Sequence, residues 1–332
     1  MRTPSGMPKT DGVLDRVLFR PGMFFMENKK CCCGCSTSND IPNLIESEDQ
    51  LDELLSRPRP ETIELFKNMK GDLAIVGGGG KIGPSLAQMA CRARDAAGVK
   101  TKITVIDRFP DAGIRAQLEK YGCQTLTCDL LDDAAVNSLP EAANVIYMVG
   151  MKFGTTDNPE FTWVVNGLIP AYVARRYKNS RIVAFSTGCV YELVDAKSSG
   201  SVETASLTPP GEYANSSVAR ERMLQYFSKA FKTPMVLFRL NYAVECRYGV
   251  IQDIAASIAA GEPVDVTMGY ANVVWQGDVN DAVLRLLDHA AVPAMPLNYT
   301  GEEKLSTREI ATKLGKLMGK EVKIVGTEAP TA

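Results

Sequence analysis

Leu73-Ala-Ile-Val-Gly-Gly-Gly-Gly-Lys-Ile-Gly83 is the segment from which the architecture of this 332-residue chain follows. Its four apolar residues predict a short buried strand, and Gly77, Gly80 and Gly83 follow at three-residue spacing. The amphipathic stretch from Ile82 to Arg94 then predicts a helix. Glycine allows a tight turn and close approach of the backbone to phosphate, and the first turn of a helix presents free N–H groups. This order of elements predicts a site for a nucleotide pyrophosphate, with a ligand-free structural turn as the alternative.

A second predicted strand, Lys100 to Asp107, ends in an acidic residue. A carboxylate at that point hydrogen-bonds the adenosine ribose hydroxyls and repels a 2′-phosphate. Asp107 therefore favours NAD over NADP, and the neighbouring Arg108 keeps NADP possible. Within the glycine turn, Ile82 is a further candidate for cofactor contact, and Lys81 is expected to meet phosphate or solvent.

Strand and helix patterns alternate from residue 71 to residue 240, which predicts an α/β fold with a doubly wound parallel sheet of the Rossmann type. The pattern becomes irregular over 241–332 and predicts a smaller substrate-binding region. The expected strands are 72–76, 102–107, 123–127, 144–149, 181–186 and 234–239. The expected helices are 82–97, 111–120, 132–138, 161–178, 213–231, 249–260, 278–290 and 306–318.

The N-terminal part of the chain differs from the rest in composition. Residues 1–42 are rich in Gly, Pro, Ser, Lys and Asn without a sustained period, which predicts a disordered tail. Within it, Cys31-Cys-Cys-Gly-Cys35 could bind a soft metal, be acylated or simply be part of a mobile tail. Met26 could be an alternative start, in which case residues 1–25 would be irrelevant. Residues 43–70 carry two short helical patterns and predict a helical extension outside the nucleotide domain.

Composition and charge exclude several classes of function. The net charge of −2 gives no indication of a nucleic-acid partner, and no apolar run reaches the roughly 18–20 residues of a membrane span. The single histidine, His289, is expected near a helix end, so a Ser-His-Asp site or a His-rich metal site is not expected. We therefore expect a cytoplasmic protein with a small-molecule substrate and no metal site. Five cysteines are expected as reduced apolar side chains: Cys91, Cys123, Cys128, Cys189 and Cys246.

The ordered motifs resemble the extended short-chain dehydrogenase/reductases, the NAD-dependent epimerase/dehydratase group, from about Leu73 to Val325. The glycine turn and Asp107 match, with Val76 where threonine is usual. The other matches are the Asp129-Leu130 pair beside the adenine ring, the strand and turn 145–150 with Val149 and Gly150 along the cofactor, the helix asparagine Asn166, the strand end Ser186-Thr187 and, in order after it, Glu203, Pro209 and Tyr213.

The resemblance implies a specific chemistry for these residues. Tyr213, a phenol with an ordinary pKa near 10, would take or give a proton near neutral pH. A lysine four residues later on the same helix face would favour the phenolate and hold the nicotinamide ribose. Thr187 would orient the substrate oxygen while hydride moves to or from the nicotinamide.

The sequence departs from this pattern at the lysine. Ser217 stands four residues after Tyr213, at the catalytic position where the family has the cation. Arg220 lies on roughly the same helix face two turns beyond Tyr213, although its spacing alone does not bring it to the same point. Lys152, in the loop that borders the nicotinamide in the family, is a second candidate cation.

The substrate motifs depart as well. In nucleotide-sugar enzymes of the family an Arg-x-x-Asn element and a later arginine hold the diphosphate. Here Arg239-Leu-Asn-Tyr242 displaces the asparagine, and residues 271–279 lack the arginine. Each missing charge-assisted hydrogen bond would cost roughly 1.5–3 kcal/mol of binding. This favours a smaller or sugar-like substrate, with Trp275 and Tyr242 either lining its pocket or packing in the core.

Two functions follow from the sequence. The first is an NAD(P)-dependent oxidoreductase or epimerase/dehydratase that transfers hydride at a hydroxyl of a sugar-like or polyol substrate. The second is a catalytically impaired NAD(P)-binding regulatory or scaffold protein of the same fold. By resemblance, pairing of the helices at 161–178 and 213–231 implies a homodimer.

Overall fold

A seven-stranded parallel sheet forms the centre of the structure, a computed structural model that describes residue 42 and residues 44–332. Its strands lie in the order β3-β2-β1-β4-β5-β6-β11, and each pairs in parallel with its neighbours. The strands in chain order are β1 Leu73–Val76, β2 Ile103–Asp107, β3 Gln124–Thr127, β4 Asn144–Tyr147, β5 Arg181–Thr187, β6 Met235–Leu240, β7 Ala243–Val244, β8 Val264–Asp265, β9 Tyr270–Ala271, β10 Val274–Trp275, β11 Met295–Tyr299, β12 Leu305–Ser306 and β13 Ile324–Val325.

The sheet reverses its direction of growth between β1 and β4. From β1 the chain adds β2 and β3 on one side, and it then returns to place β4 on the other side. All four residues of β1 are buried, as expected for a strand covered by helices on both faces. In open α/β sheets, ligands bind outside the carboxyl ends of the strands at this reversal. The predicted α/β fold with a doubly wound parallel sheet is confirmed.

Helices cover both faces of the sheet, and most of their bounds lie within two residues of those predicted from the sequence. The helices are α1 Glu48–Leu55, α2 Pro60–Asn68, α3 Gly83–Ala97, α4 Ala112–Lys120, α5 Asp133–Ser138, α6 Pro159–Trp163, α7 Ile169–Arg176, α8 Glu212–Phe231, α9 Val250–Ala260, α10 Gln276–Arg285 and α11 Thr307–Met318. A short 3₁₀ turn, Leu286–His289, completes the helix predicted at 278–290.

The helix predicted over 161–178 is interrupted by a π-helical turn, Val164–Leu168, between α6 and α7. Pro170 lies in the first turn of α7. Proline lacks the N–H that would bond the carbonyl four residues earlier, and its ring crowds that carbonyl, which here belongs to Asn166. The wider turn relieves this conflict, and it contains Asn166, the asparagine of the family motif.

The N-terminal extension packs through α1 and α2 against helices α3 and α10. Leu55 and Phe66 are fully buried. The Arg92 guanidinium of α3 donates to Glu53 Oε1 at 2.9 Å, and the Asn280 amide of α10 donates to the Leu55 carbonyl at 3.0 Å. The extension is therefore part of the folded body formed by residues 44–332. The predicted tail, apart from residue 42, and its Cys31–Cys35 cluster lie outside the described residues, as do residues 1–25.

The chain beyond residue 240 contributes to two places. Ile254, Ile258, Val264 and Ala311 form a small core of their own between α9, β8 and α11. The strand β11, however, belongs to the central sheet, where among the described residues it forms the edge and pairs with β6. The division into 71–240 and 241–332 stays a prediction.

The expectation for the cysteines is only partly correct. Cys91, Cys123 and Cys128 are buried, but Cys189, in the short turn after β5, and Cys246, in the loop after β7, are exposed. Across the described part of the chain, none of the helices has the length and apolar character needed to cross a membrane.

Candidate functional site

The glycine turn after β1 has a geometry that only glycine can adopt at two positions. Gly77 has φ +84°, and a Cβ there would lie 2.6 Å from Val149 Cγ2. A Cβ on Gly83 would overlap the carbonyl of Gly78. Gly80, by contrast, is exposed, and a Cβ there would meet nothing nearer than 4.0 Å. The turn is thus packed against the backbone on its inner side and open on its outer side.

The open side of the turn leads to the start of α3. Ile82 precedes the helix and makes no side-chain cap, and Pro84 occupies its first turn. The N–H groups of this turn are therefore not capped by its own side chains. Lys81 is exposed, and its Nζ lies 4.7 Å from the centre of the Tyr248 ring, so the side chain lies against an aromatic ring of the 245–248 segment.

Asp107 at the end of β2 is fixed by two backbone donors. Gly79 N–H donates to its Oδ2 at 2.9 Å, and Phe109 N–H donates to its Oδ1 at 3.2 Å. The carboxylate is therefore held directly beside the glycine turn, and its predicted contact with a ribose stays a prediction. Arg108 is exposed.

The remaining predicted cofactor residues follow the carboxyl ends of β3 and β4, on the same side of the sheet as the glycine turn. Asp129 is exposed and accepts a hydrogen bond from Leu131 N–H at 3.1 Å, whereas the Leu130 side chain is buried in the core. Val149 and Gly150 follow β4, with Val149 against Gly77. Lys152 is exposed, and its Nζ lies 5.9 Å from the centre of the Tyr242 ring.

Thr187 and Tyr213, the two residues predicted to carry the reaction, lie near each other at the end of β5 and the start of α8. Thr187 ends β5, is 8% exposed and accepts a hydrogen bond from Cys189 N–H at 3.1 Å. Tyr213 is the second residue of α8. Burial raises the pKa of the Tyr213 phenol, and the Thr187 hydroxyl and the Arg220 charge act in the opposite direction. The structure therefore brings the predicted hydroxyl pair together.

Ser217 places a neutral hydroxyl where the family has a lysine, and this hydroxyl acts to lower the pKa of the Tyr213 phenol. It is fully buried, and its Oγ donates to the Tyr213 carbonyl at 2.8 Å, one turn earlier in α8. This contact is the usual local hydrogen bond of a helical serine. Ser217 was predicted at the catalytic position, and the structure gives it a hydrogen bond that stays within the helix.

Asn166 connects the turn after β4 to α8. Its Oδ1 accepts from Met151 N–H at 2.9 Å and from Arg220 Nη2 at 2.5 Å. Its Nδ2 donates to the Met151 carbonyl at 3.0 Å and to Ser216 Oγ at 2.9 Å. Ser216 was missed by sequence reasoning, although its place next to Ser217 on α8 is the signal that could have found it.

Arg239, which the sequence motif made a candidate for substrate binding, forms an ion pair with a carboxylate of the same chain. Its Nη2 lies 2.7 Å from Glu221 Oε2, and both side chains are almost fully buried. Ser186 Oγ donates to the same carboxylate at 2.5 Å, and Arg239 Nη1 donates to Tyr191 Oη at 2.6 Å. This network supports the end of β5 below Thr187. Glu221 was missed, although a glutamate eight residues after Tyr213 lies near the same helix face.

The described residues contain no group of three or more His, Cys, Asp or Glu side chains arranged to hold a metal ion. The candidate site consists of the glycine turn, the Asp107 carboxylate, the Thr187 and Tyr213 hydroxyls and a buried polar network at the carboxyl ends of β1, β2, β4 and β5.

The profile of the NAD dependent epimerase/dehydratase family matches residues 73–298, more than half of the chain. The chain belongs to this family. The predicted resemblance is confirmed, and the matched range contains the glycine turn, Asp107, Thr187 and Tyr213. No curated protein matches the chain.

Solved structures of similar fold include sugar-nucleotide epimerases. UDP-glucose 4-epimerase of Thermus thermophilus, crystallised with NAD, is 22% identical over 78% of this chain and 87% of its own, with a TM-score of 0.65. UDP-glucuronic acid 4-epimerase of Bacillus cereus, in complex with UDP-glucuronic acid and NAD, is 16% identical over 78% and 87%, with a TM-score of 0.64. UDP-glucose 4-epimerase of Thermotoga maritima, with UDP-glucose, is 15% identical over 77% and 86%, with a TM-score of 0.64. At these identities, the likeness shows the common epimerase/dehydratase fold.

Proposed function

We propose that this member of the epimerase/dehydratase family binds NAD and transfers hydride at a hydroxyl-bearing carbon of a sugar-like or polyol substrate. The observation that carries the proposal is the Thr187–Tyr213 hydroxyl pair next to the strand-end cradle of a nucleotide-binding sheet. The described part of the chain offers no metal cluster as an alternative centre.

The cradle fits a dinucleotide. The inner side of the glycine turn is closed by backbone contacts at Gly77 and Gly83, and its outer side at Gly80 is open for phosphate oxygens. Asp107 is placed to accept hydrogen bonds from ribose hydroxyls and to repel a 2′-phosphate, which favours NAD over NADP. When bound, NAD would supply the hydride acceptor and donor.

Tyr213 and Thr187 would handle the proton and the substrate oxygen. The Thr187 hydroxyl can donate to that oxygen and orient it toward the phenol. The Tyr213 phenolate can then accept the hydroxyl proton when a carbinol is oxidised, and the resulting phenol can return it when the carbonyl is reduced. Burial raises the pKa of this phenol, so catalysis near neutral pH requires a nearby positive charge to favour the phenolate.

The ion pair of Arg239 and Glu221 supports a substrate without a diphosphate. A guanidinium that is 2% exposed and bound by a carboxylate cannot also bind a phosphate at the surface. Two of the similar solved structures hold UDP-sugars, but in this chain the Arg239 side chain is bound to Glu221. We therefore favour a free sugar, polyol or sugar acid over a nucleotide sugar.

The proposal is tested by mass spectrometry of the purified protein for a bound dinucleotide, followed by NADH absorbance with polyols, sugars, sugar acids and UDP-sugars. We expect NADH formation with a non-nucleotide compound, and its loss in Tyr213→Phe and Thr187→Val. Tyr226→Phe, which removes an exposed hydroxyl from the same helix, is the matched control. Turnover of UDP-sugars alone would contradict the substrate class, and dinucleotide binding with no turnover of any compound would contradict the enzymatic role.

The second candidate is a binding protein of the same fold that has lost its proton machinery. Buried Ser217 in place of a lysine is the observation that favours it. In that case the native protein would bind NAD without turnover, and Ser217→Lys would create activity that the native protein lacks.

We also propose that the protein is a homodimer that pairs through α6, α7 and α8. Trp163, Leu168, Met223 and Tyr226 are apolar side chains of these helices and the π turn, and each is 38% or more exposed. Burial of such a surface is a common cause of association. Sedimentation equilibrium should give twice the chain mass for the native protein and a single chain mass for Met223→Glu. Cytoplasmic location stays a prediction.

A further inference from the structure

Arg220 is a buried cation at the centre of the site. It lies in α8 and is only 4% exposed. Its Nη2 donates to Asn166 Oδ1 at 2.5 Å and its Nη1 to the Phe185 carbonyl at 3.3 Å. A Cβ on Gly150 would lie 2.5 Å from Nη2, so the guanidinium packs directly against the backbone of the turn after β4.

The charge of Arg220 has no carboxylate partner among the described residues. Its Nε is buried without any hydrogen-bond partner there, and the adjacent Glu221 is bound to Arg239 instead. Both of its acceptors are neutral carbonyl or amide oxygens. Burial of a charge without an opposite charge beside it destabilises the folded state, so its presence calls for a compensating role.

The groups that Arg220 acts on are phenols. Burial raises the pKa of the Tyr213 and Tyr147 phenols above the ordinary value, and the Arg220 charge offsets part of this rise in both. The buried Tyr147 hydroxyl also has no hydrogen-bond partner in the described part of the chain. Tyr213 is faced by Thr187 and Cys189 from the end of β5 and by Ser217 and Arg220 from its own helix. Arg220 is the one positive charge in this set.

We propose that Arg220 is the positioning residue that replaces the missing lysine, because its fixed charge, one helical turn beyond Ser217 in α8, favours the Tyr213 phenolate. The small Ser217 leaves the lysine position without a charge, and Asn166 clamps the guanidinium to the turn after β4. Arginine keeps its charge at any working pH, so it stabilises the phenolate but cannot carry the proton itself. This inference rests on the proposed role of Tyr213, but its test does not require turnover.

The test measures the ionisation of Tyr213 directly by NMR of protein labelled with ¹³C at tyrosine Cζ. The resonance absent from Tyr213→Phe identifies the residue. We expect Arg220→Met to raise the pH midpoint of this resonance by about one unit or more, which corresponds to about tenfold less phenolate at a given pH below the midpoint. Arg220→Lys should restore part of the shift. Arg222→Met, which removes an exposed arginine of the same helix, should leave the midpoint unchanged.

Two further measurements separate an electrostatic role from a structural one. Arg220→Met should unfold at no lower temperature than the native protein, because it removes an unpaired buried charge, and Ser217→Lys added to it should return the Tyr213 midpoint toward the native value. An unchanged midpoint in Arg220→Met, or a Tyr213 resonance that does not titrate in the native protein up to pH 11, would overturn the inference. If the midpoint shifts but no substrate is turned over, the inference stands and the proposed enzymatic function fails.

Discussion

Gly83 is the residue whose side chain the fold can least accommodate. Its Cβ position is filled by the Gly78 carbonyl, which is backbone and cannot rotate away. We expect Gly83→Ala to lower the free energy of unfolding by about 2 kcal/mol or more, within the range for overpacked sites, and to abolish NAD binding. Gly80→Ala is the matched control, because a Cβ there meets open space. Urea unfolding and calorimetry check both variants, and equal stability of the two would contradict the geometry of the turn.

Asp107 is predicted to determine the choice of dinucleotide. Its carboxylate can accept from ribose hydroxyls, and its charge opposes a 2′-phosphate. Asp107→Asn keeps an acceptor for Gly79 N–H but removes the charge. Because a charged hydrogen bond contributes roughly 1.5–3 kcal/mol, the ratio of NAD to NADP affinity should fall by about tenfold or more. Calorimetric titration with both dinucleotides measures this ratio, and an unchanged ratio would show that Asp107 does not face the ribose.

At the scale of secondary-structure elements, Glu53 joins α1 to α3. Hydrogen bonds from Arg57 and Arg92 lower the pKa of its carboxyl from 4.5 to about 2, the Arg57 bond being the largest cause. Because the folded value is the lower one, the stabilisation is complete above pH 4.5 and is lost as the pH falls toward 2. The side chain is 41% exposed, so solvent screening reduces the contribution to about 1 kcal/mol.

Glu53→Gln should therefore be about 1 kcal/mol less stable than the native protein at pH 7, with the difference shrinking at pH 3. Glu302→Gln is the control, since this exposed glutamate has no hydrogen bond or ion pair among the described residues. Urea unfolding at the two pH values checks the expectation. A difference that persists at pH 2 would indicate packing rather than charge as its source.

The sequence predicted most elements because their patterns are local. The glycine turn and Asp107 lie where short-range patterns place them, and the helix bounds follow from apolar periodicity. The edge strand β11 was missed, because Pro293 and Pro296 interrupt its pattern; an edge strand tolerates a proline that a central strand would not. The π turn was missed because it leaves the composition of a helix unchanged.

The site was less predictable than the fold, because its contacts join residues distant in sequence. The bond between Arg220 and Asn166 spans 54 positions, and spacing from Tyr213 alone gave no reason to expect it. The pairing of Arg239 with Glu221 likewise depends on how α8 lies over β6. Polar residues in a helix show their function only when the element opposite them is known.

At the scale of the whole molecule, the N-terminal extension is predicted to be required for stability and the tail is not. The extension buries four of its own large apolar side chains, Leu51, Leu55, Leu65 and Phe66. Its Thr62 hydroxyl also donates to the buried Asp281 of α10. Burial of each large apolar side chain contributes about 1.5–3 kcal/mol, a large share of the stability of a typical domain. Removal of residues 1–70 should therefore lower the unfolding temperature by about 10 °C or more, or prevent folding.

The matched control is removal of residues 1–43 only, which leaves the folded body and its extension intact. Calorimetric unfolding should then match the full chain. NAD binding and activity should also be retained, unless the Cys31–Cys35 cluster has a role of its own. Equal stability of both truncated proteins would show that the extension is dispensable.

The π turn at Val164–Leu168 also sets the rotational phase of the helix that contains it. It holds one residue more than an α-helical turn, so α6 and α7 are offset by about 100° from the phase of an uninterrupted helix. The direction in which Asn166 points therefore depends on the number of residues before Pro170 as well as on its own identity. Loss of a single residue from 167–169 would convert the π turn to an α-helical turn and rotate the Asn166 amide away from both Met151 and Arg220. The number of residues in this turn is therefore as important to these contacts as the identity of Asn166.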